Sequence, residues 1–412
     1  MTRTILHSDM NNCYASIERK LNPSLVGKRL VVCGSVEDRH SIVLAKSYEA
    51  KAFGVKTGDS LFEAKMKCPG LVAVKPHYDE YFKFSKLAHK IYYSYTNQVE
   101  PFGLDECWLD VTGSKKLFGS GEAIAHEIKE RIKKELGITV SIGVSYNKIF
   151  AKLGSDLKKP DAVTVISKND FKEIVWPLST DAIIGIGSKT KKKLMYMNIN
   201  TLGKLAKADV NLLKRKLGIR GLYLWQYANG YDTSEVCDYY HRDRIKSISR
   251  GVTTKADLNS YDEVKKIFEE LAIEVSKKLI EEDLKAGGVR ITIRDKNLDY
   301  VSFQKVFTET SISALRLNDK AMELFKERYD FKEAIRSLTI SAINLTKNTK
   351  TEQLSLFAPK KVIKDDRLEK VFNEIREKFG SDKIGYLGLE LNSKMPEKPS
   401  VVTLPSGFKN II

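Results

Sequence analysis

Apolar runs bounded by polar turns alternate with stretches of helical spacing along the first part of the chain. Residues 4–10 read as a buried strand, and residues 12–20 open a helix with polar residues at its start. Two more strand runs, Leu30-Val31-Val32-Cys33-Gly34 and Ile42-Val43-Leu44-Ala45, flank the turn-like Ser35-Val36-Glu37-Asp38-Arg39. Residues 47–53 are helical until Gly54-Val55-Lys56-Thr57-Gly58 breaks them. The spacing then predicts a long amphipathic helix over 78–99, a strand over 107–111, a helix over 121–136, and a strand over 140–145 that opens another helix at Asn147. Strands alternating with helices predict an α/β or α+β core.

From about residue 180 the pattern changes to short helices punctuated by glycine, and residues 233–246 are polar and charged like a tether. Strand candidates follow at 247–254, 288–295, 299–308 and 336–345, with helices near 260–284 and 312–329, which predicts a second, smaller α+β unit. Residues 347–352 form a polar linker to a tail with one amphipathic helix over 367–379. No solenoid repeat interrupts this order.

Composition adds a polyanionic partner. The 412 residues carry 70 Lys+Arg against 53 Asp+Glu, a net charge of +17, and the field of such a surplus attracts a phosphate backbone. Length predicts several domains with cores of their own. The five cysteines (Cys13, Cys33, Cys68, Cys107, Cys237) are scattered and odd in number, which argues against a zinc site or a disulfide framework and for a reducing interior. No apolar run suits a bilayer and no leader segment is expected, so the chain reads as cytoplasmic with no membrane partner.

Candidate chemistry lies in two acidic sites at strand edges. Asp9 sits in His7-Ser8-Asp9-Met10-Asn11-Asn12, and Asp105-Glu106 sits among Phe102, Leu104, Cys107, Trp108 and Leu109. A carboxylate buried among such residues is costly without cations or hydrogen bonds. A sheet that brought the two sites together could hold two divalent cations, which clamp the attacking and leaving oxygens of a phosphoryl transfer; oxygen-only ligands suit magnesium. Asp110 reads as a support for local structure, alternating away from the pair.

Six segments in order, spread over residues 4–346, resemble the Y-family (translesion) DNA polymerases, of the bacterial kind that includes the polymerase IV and UmuC-like groups. They are His7 to Ser16, Ser47-Tyr48-Glu49-Ala50-Lys51-Ala52-Phe53-Gly54-Val55, Leu104-Asp105-Glu106-Cys107-Trp108-Leu109-Asp110, Gly143 to Lys152, Ser155-Asp156-Leu157-Lys158-Lys159-Pro160, and Ile184-Gly185-Ile186-Gly187-Ser188-Lys189-Thr190. The resemblance implies an α+β right hand: palm and fingers over 1–165 (fingers roughly 20–77), a thumb with a helix-hairpin-helix over 166–232, a tether over 233–246, a little finger over 247–346, and a linker with helical tail over 347–412.

It also implies roles. Asp9, Asp105 and Glu106 would be the catalytic metal-binding carboxylates, joined by the Met10 carbonyl, around two Mg2+ ions, with Mn2+ as the alternative. Tyr14 would be the steric gate that leaves no room for a 2′-hydroxyl, and Tyr48, Lys51 and Lys159 would hold the incoming triphosphate. Gly185, Gly187, Lys189 and Thr190 of the hairpin, with Arg250, Arg290 and Arg294 of the little finger, would grip the DNA backbone. Gln353-Leu354-Ser355-Leu356-Phe357 resembles the short peptide with which bacterial polymerases dock into the sliding clamp. Partners would be primer-template DNA, dNTPs and the clamp, and the chain would act as a monomer.

Several positions depart from the family. Lys51 stands where arginine is usual, trading a bidentate fork for a point charge; Ala45 replaces a hydroxyl residue, Gly103 a serine, and Asn11 a second aspartate. The expected function is low-fidelity, template-directed DNA synthesis in damage tolerance. The alternatives are a catalytically silent, clamp-tethered accessory subunit and a two-metal nuclease, which would not need Tyr14 or the triphosphate set.

Overall fold

The computed structural model describes residues 2–34, 41–238, 244–348, 360–380 and 384, with side chains in the last helix from residue 365 onward. Two compact units divide the chain, one built on residues 1–242 and the other on 243–401.

The first unit opens with β1 (Ile5–Met10), buried at all six positions, and α1 (Cys13–Leu21). Between them Asn12 takes a left-handed backbone (φ 47°), which a short polar side chain tolerates, and its side chain caps nothing, so the helix start is shaped by a turn. Then β2 (Leu30–Cys33), β3 (Val43–Lys46), α2 (Tyr48–Ala52), α3 (Leu61–Lys67) and β4 (Val72–Val74) form a small layer with strand order β3-β2-β4 over Val31, Val43, Ala50 and Leu61.

The chain continues through α4 (Tyr78–Tyr93), β5 (Val99–Phe102), β6 (Glu106–Asp110), α5 (Lys115–Phe118), α6 (Gly121–Leu136), β7 (Val140–Ser145), α7 (Lys148–Leu157) and β8 (Val163–Ile166). The single helix expected over 78–99 ends at Tyr93. Ser94 turns its hydroxyl back onto the Ile91 carbonyl, Thr96 bonds the Asp110 carbonyl, and Val99 starts β5 instead.

These strands make one sheet in the order β5-β6-β1-β7-β8, with β1 antiparallel to both neighbours. Side chains alternate across it. Leu6, Met10, Cys107, Leu109, Ile142 and Val144 share one core with Ala88 and Ile91 of α4 and Ile124 and Ile128 of α6. Ile5 and Trp108 face the other way, onto Ala151 of α7. The face toward α7 is therefore the face of His7, Asp9 and Glu106. Helix α7 lies against β7 at backbone distance, because a Cβ on Gly143 would fall 1.9 Å from the Ala151 carbonyl oxygen and one on Gly154 3.0 Å from Gly143 Cα.

Helices α8 (Phe171–Val175), α9 (Ser188–Tyr196), α10 (Leu202–Ala206), α11 (Val210–Leu217) and α12 (Ile219–Ala228) follow and pack around Phe150, Leu194, Leu202, Leu213 and Leu224. The segment leaving α12 is held down. Arg3 donates to the carbonyls of Asp232 (3.2 Å) and Ser234 (2.8 Å), Val236 is buried, and the Cys237 N–H reaches Glu100 at 2.9 Å. The expected tether is thus packed against the first unit up to Cys237, and its residues 239–243 lie outside the described ones.

In the second unit, β9 (Ser247–Leu258), α13 (Tyr261–Glu281), β10 (Leu284–Asp295), β11 (Tyr300–Ser311), α14 (Ala314–Arg328), β12 (Ile335–Ile343) and β13 (Thr346–Lys347) build an antiparallel sheet, order β11-β10-β12-β9, with β13 against the start of β10. Helices α13 and α14 cover one face through Ile267, Phe268, Leu271, Leu317 and Phe325. The tail helix α15 (Lys360–Phe379) starts before the expected 367 and docks here. Asp366 accepts from Ser311 Oγ (2.7 Å) and the Ile312 N–H (3.0 Å), and Glu369 accepts from the Ala314 N–H (2.9 Å), so two carboxylates meet the start of α14, where the helix dipole favours negative charge.

Candidate active site

Strand register brings the two acidic segments together. Asp9 stands directly opposite Glu106 across the β1–β6 pair, and the Met10 N–H donates to the Asp105 carbonyl at 2.9 Å. Facing residues on one side of such a pair have Cβ atoms about 5 Å apart, so two carboxylates there repel unless cations intervene. Helix α7 and the turn after it supply them. Lys159 Nζ lies 2.7 Å from Asp9 and 3.0 Å from Asp156, and Lys152 Nζ lies 2.9 Å from Glu106 and 3.3 Å from Asp156. His7, fully buried two residues before Asp9, reaches Glu106 through Nε2 (3.3 Å) and Ser155 Oγ through Nδ1 (2.8 Å).

The electrostatics separate the three acids. Burial pushes the Asp9 carboxyl up to about 7, against the pull of Lys159. Burial, then repulsion from Glu106, raises Asp105 to about 6. Glu106 is also penalised by burial, but the approach of His7 and the Lys152 ammonium overcome that and draw it down to about 2. Carboxyls raised in this way by burial mark a site short of positive charge. Three hard oxygen donors at the end of one strand pair fit a divalent cation of the magnesium class. Among the described residues no three such groups close into a finished metal cage, since the lysines engage Asp9 and Glu106.

Tyr14, half-buried on α1, stacks on Tyr81 (centroids 4.2 Å apart, planes at 10°) and meets Tyr78 edge-on at 6.1 Å. The Tyr81 hydroxyl donates to the buried Glu18 carboxylate, which His77 also contacts at 3.0 Å, so the ring behind Tyr14 is itself fixed. Tyr48 and Lys51 lie on α2 with the Lys51 ammonium 5.8 Å from the Tyr48 ring centre, and the Tyr48 hydroxyl is within electrostatic range of Lys159 and Asp9. Lys46 belongs to the same group. Burial and the neighbouring Lys51 lower its pKa.

Gly185 needs its glycine, with φ 94°, and Gly187 precedes the first turn of α9, which carries Lys189 and Thr190. A cleft of about 440 Å³ opens between Lys152 and Asp156 on α7 and the loop 181–187, so the hairpin borders the carboxylate site. In the second unit the exposed sheet face forms three rows: Gln304-Arg290-Ser341-Ser249, Ser302-Thr292-Thr339-Gly251 and Tyr300-Arg294-Ser337-Thr253. None of these twelve residues carries a carboxylate. Arg250 does not belong to this face. It pairs in register with buried Ile340 and approaches Glu274 of α13 at 3.6 Å, because one step along a strand turns a side chain to the other side. Asp110 shares the strand parity of Glu106 but lies four residues along, about 13 Å at the usual rise, where it accepts from the Thr112 N–H. Residues 353–357 lie outside the described residues.

The residues left out of the sequence-based set are His7, Asn11, Lys152, Asp156 and Lys46. His7 reaches the site through the parity of β1, Lys152 and Asp156 reach it from α7, and Lys46 and Asn11 border it from β3 and the turn after β1.

A sheet with carboxylates facing each other, cations beside them and a hairpin at the rim is an arrangement suited to phosphoryl transfer. Family models agree with the residues: the impB/mucB/samB family matches residues 8–156, and the C-terminal domain of the same family matches 245–356. The chain is 48% identical over 382 residues to a DNA polymerase IV of Acetivibrio thermocellus, covering 92% of this chain and 96% of that one. It is 36% identical to a DNA polymerase IV of Bacillus velezensis, covering 93% and 92%. Among solved structures, a chimeric Y-family DNA polymerase superposes with a TM-score of 0.75 at 26% identity, covering 84% of this chain and all of that one. The chain belongs to the Y family, the impB/mucB/samB group of DNA polymerases. It is a DNA-directed DNA polymerase of the translesion kind, and the family implies a divalent-metal-dependent reaction.

Proposed function

We propose that this polymerase adds deoxynucleotides to a primer end through two magnesium ions held by Asp9, Asp105, Glu106 and the Met10 carbonyl. The observation that carries this is the register that sets Asp9 across from Glu106, with Asp105 tied to Met10 and an unmet demand for positive charge at Asp9 and Asp105. When bound, the metals supply activation of the primer hydroxyl and neutralisation of the leaving pyrophosphate. The chain's own groups do the rest. Lys159, Lys51 and the Tyr48 hydroxyl take triphosphate oxygens, and Lys46 adds a fourth donor where the family's arginine and hydroxyl residue are missing. Tyr14, stiffened by Tyr81, closes the space beneath the sugar against a 2′-hydroxyl.

The loop with Gly185 and Gly187, with Lys189 and Thr190, presents backbone N–H groups and positive charge to a DNA phosphate. Arg290 and Arg294, set in a hydroxyl-rich face, hold the backbone of the duplex without reading sequence. Residues 353–357 dock a sliding clamp, and the polymerase works as a cytoplasmic monomer. The silent-subunit and nuclease readings are not favoured: all three carboxylates are present, and the triphosphate cations stand beside them.

Extension of a labelled primer on a template, with magnesium and dNTPs, tests the site. Wild type extends, and Asp105→Ala/Glu106→Ala, which keeps DNA affinity in a filter or anisotropy assay, does not. Undiminished extension by the double variant would remove these carboxylates from the reaction, and primer shortening by wild type would return the nuclease reading.

A further inference from the structure

Asn11 follows the strand that carries Asp9 and has no part in the carboxylate chemistry. It is 2% exposed, and its amide spans two elements: Nδ2 donates to Ser141 Oγ on β7 (2.9 Å), and Oδ1 accepts the backbone N–H of Asp161 (2.9 Å). Asp161 closes the Lys159-Pro160-Asp161 turn after α7 with a left-handed backbone (φ 56°), a conformation that persists in a non-glycine residue where the surroundings hold it. Its carboxylate is held from the other side by Lys133 (2.7 Å) and Lys129 (3.3 Å) of α6. Two residues earlier in the same turn, Lys159 reaches Asp9 at 2.7 Å.

We infer that Asn11 is a positioning residue for Lys159: its amide pins the turn that sets how far the Lys159 ammonium reaches toward the triphosphate, with the Asp161–Lys133 pair as the opposing anchor. This rests on the reading of Lys159 as a triphosphate contact. A lysine has four rotatable bonds and a point charge, so its aim comes from where its backbone is held. The partly buried Asp161 N–H has Asn11 as its partner, and a donor that loses its partner there favours a rearrangement that finds another. Aspartate at position 11 could keep both contacts, accepting from the Ser141 hydroxyl and from the Asp161 N–H. Alanine could keep neither.

The test is single-nucleotide insertion on primer-template DNA by wild type, Asn11→Ala, Asn11→Asp, Lys159→Ala and the double variant Asn11→Ala/Lys159→Ala. Asn11→Ala is expected to raise KM for the dNTP about tenfold with kcat within about threefold, and Asn11→Asp to stay within about twofold of wild type. Because Asn11 acts through Lys159, adding Asn11→Ala to Lys159→Ala raises KM by less than about twofold. A general loosening of the fold would lower the melting temperature and repeat the tenfold rise in the Lys159→Ala background, which overturns the inference, as does an unchanged KM in Asn11→Ala. Should Asn11→Ala fail to fold, Lys129→Ala/Lys133→Ala loosens the same turn from α6. A KM rise that vanishes in the Lys159→Ala background supports the inference, and an unchanged or additive KM overturns it. If Lys159→Ala by itself leaves KM unchanged, the triphosphate reading fails and takes this inference with it; if Lys159→Ala raises KM and Asn11→Ala does not, only the inference fails.

Discussion

Replacing Gly143 by alanine tests whether the packing of α7 sets the active site. The new methyl would lie 1.9 Å from the Ala151 carbonyl oxygen and 2.6 Å from the Ser155 backbone nitrogen, the first about 1.5 Å short of the 3.4 Å at which ordinary contact begins. Both clashes are with backbone, so no side-chain rotation relieves them. Helix α7 must retreat from β7 by about 1 Å or more, and overpacking of that kind costs about 1–3 kcal/mol. The retreat carries Lys152 and Ser155 away from Glu106 and His7, whose present separations of 2.9 Å and 2.8 Å leave no slack within hydrogen-bond range. A displacement of about 1 Å in groups that position a reacting centre costs about a hundredfold in rate. Nucleotide addition at saturating dNTP and magnesium, measured well below the variant's melting temperature by circular dichroism, is therefore expected to fall about a hundredfold while DNA affinity holds. A Gly143→Ala enzyme that folds and keeps kcat within threefold of wild type would refute the argument.

The other predictions concern regions that the site leaves free. His89 is buried on α4, and burial lowers its pKa from 6.5 to about 4. The unfolded chain then takes up a proton first as pH falls, so the stability His89 gives is complete above about 6.5 and is lost between 6.5 and 4, by about 3 kcal/mol at the acid end. Urea unfolding of the first unit at pH 7, 5 and 4 should show that slope flatten in His89→Leu. Arg290→Ala/Arg294→Ala should weaken DNA binding alike on all sequences and reduce the slope of log affinity against log salt by about 2, with Arg250→Ala leaving that slope unchanged in fluorescence anisotropy titrations. Asp366→Ala removes two hydrogen bonds that α15 makes to the start of α14, and should cost the second unit about 2–3 kcal/mol in denaturant unfolding.

Much of the site is legible in the sequence because its residues travel in contiguous motifs. Asp9, Asp105 and Glu106 each sit beside a strand run whose apolar character is plain, and the bounds of α6 and β7 follow from long, clean periods. The short strands β4, β5 and β8 go unread although β2 and β3 are no longer than β5 and β8, and the apolar spacing of α4 runs on into Tyr95 and Val99 although the chain has left the helix. The lysines are the harder case. Lys152 is one of 70 basic residues until the register of β1 against β6 shows which face Glu106 uses. Strand parity also separates Arg250 from Arg290 and Arg294. Ile248 and Arg250 are two apart and share a side, and Ile248 is buried against the helices.

Each of the two most closely held carboxylates, Asp9 and Glu106, is already matched with a lysine on the same short stretch of chain. Two lysines face four carboxylates there, counting Asp105 and Asp156, so the pocket is short of positive charge when it holds no substrate. Under the proposed function, a nucleotide that brings its own cations meets that shortage. In the proposed reaction the lysines leave carboxylate oxygens and donate to phosphate oxygens.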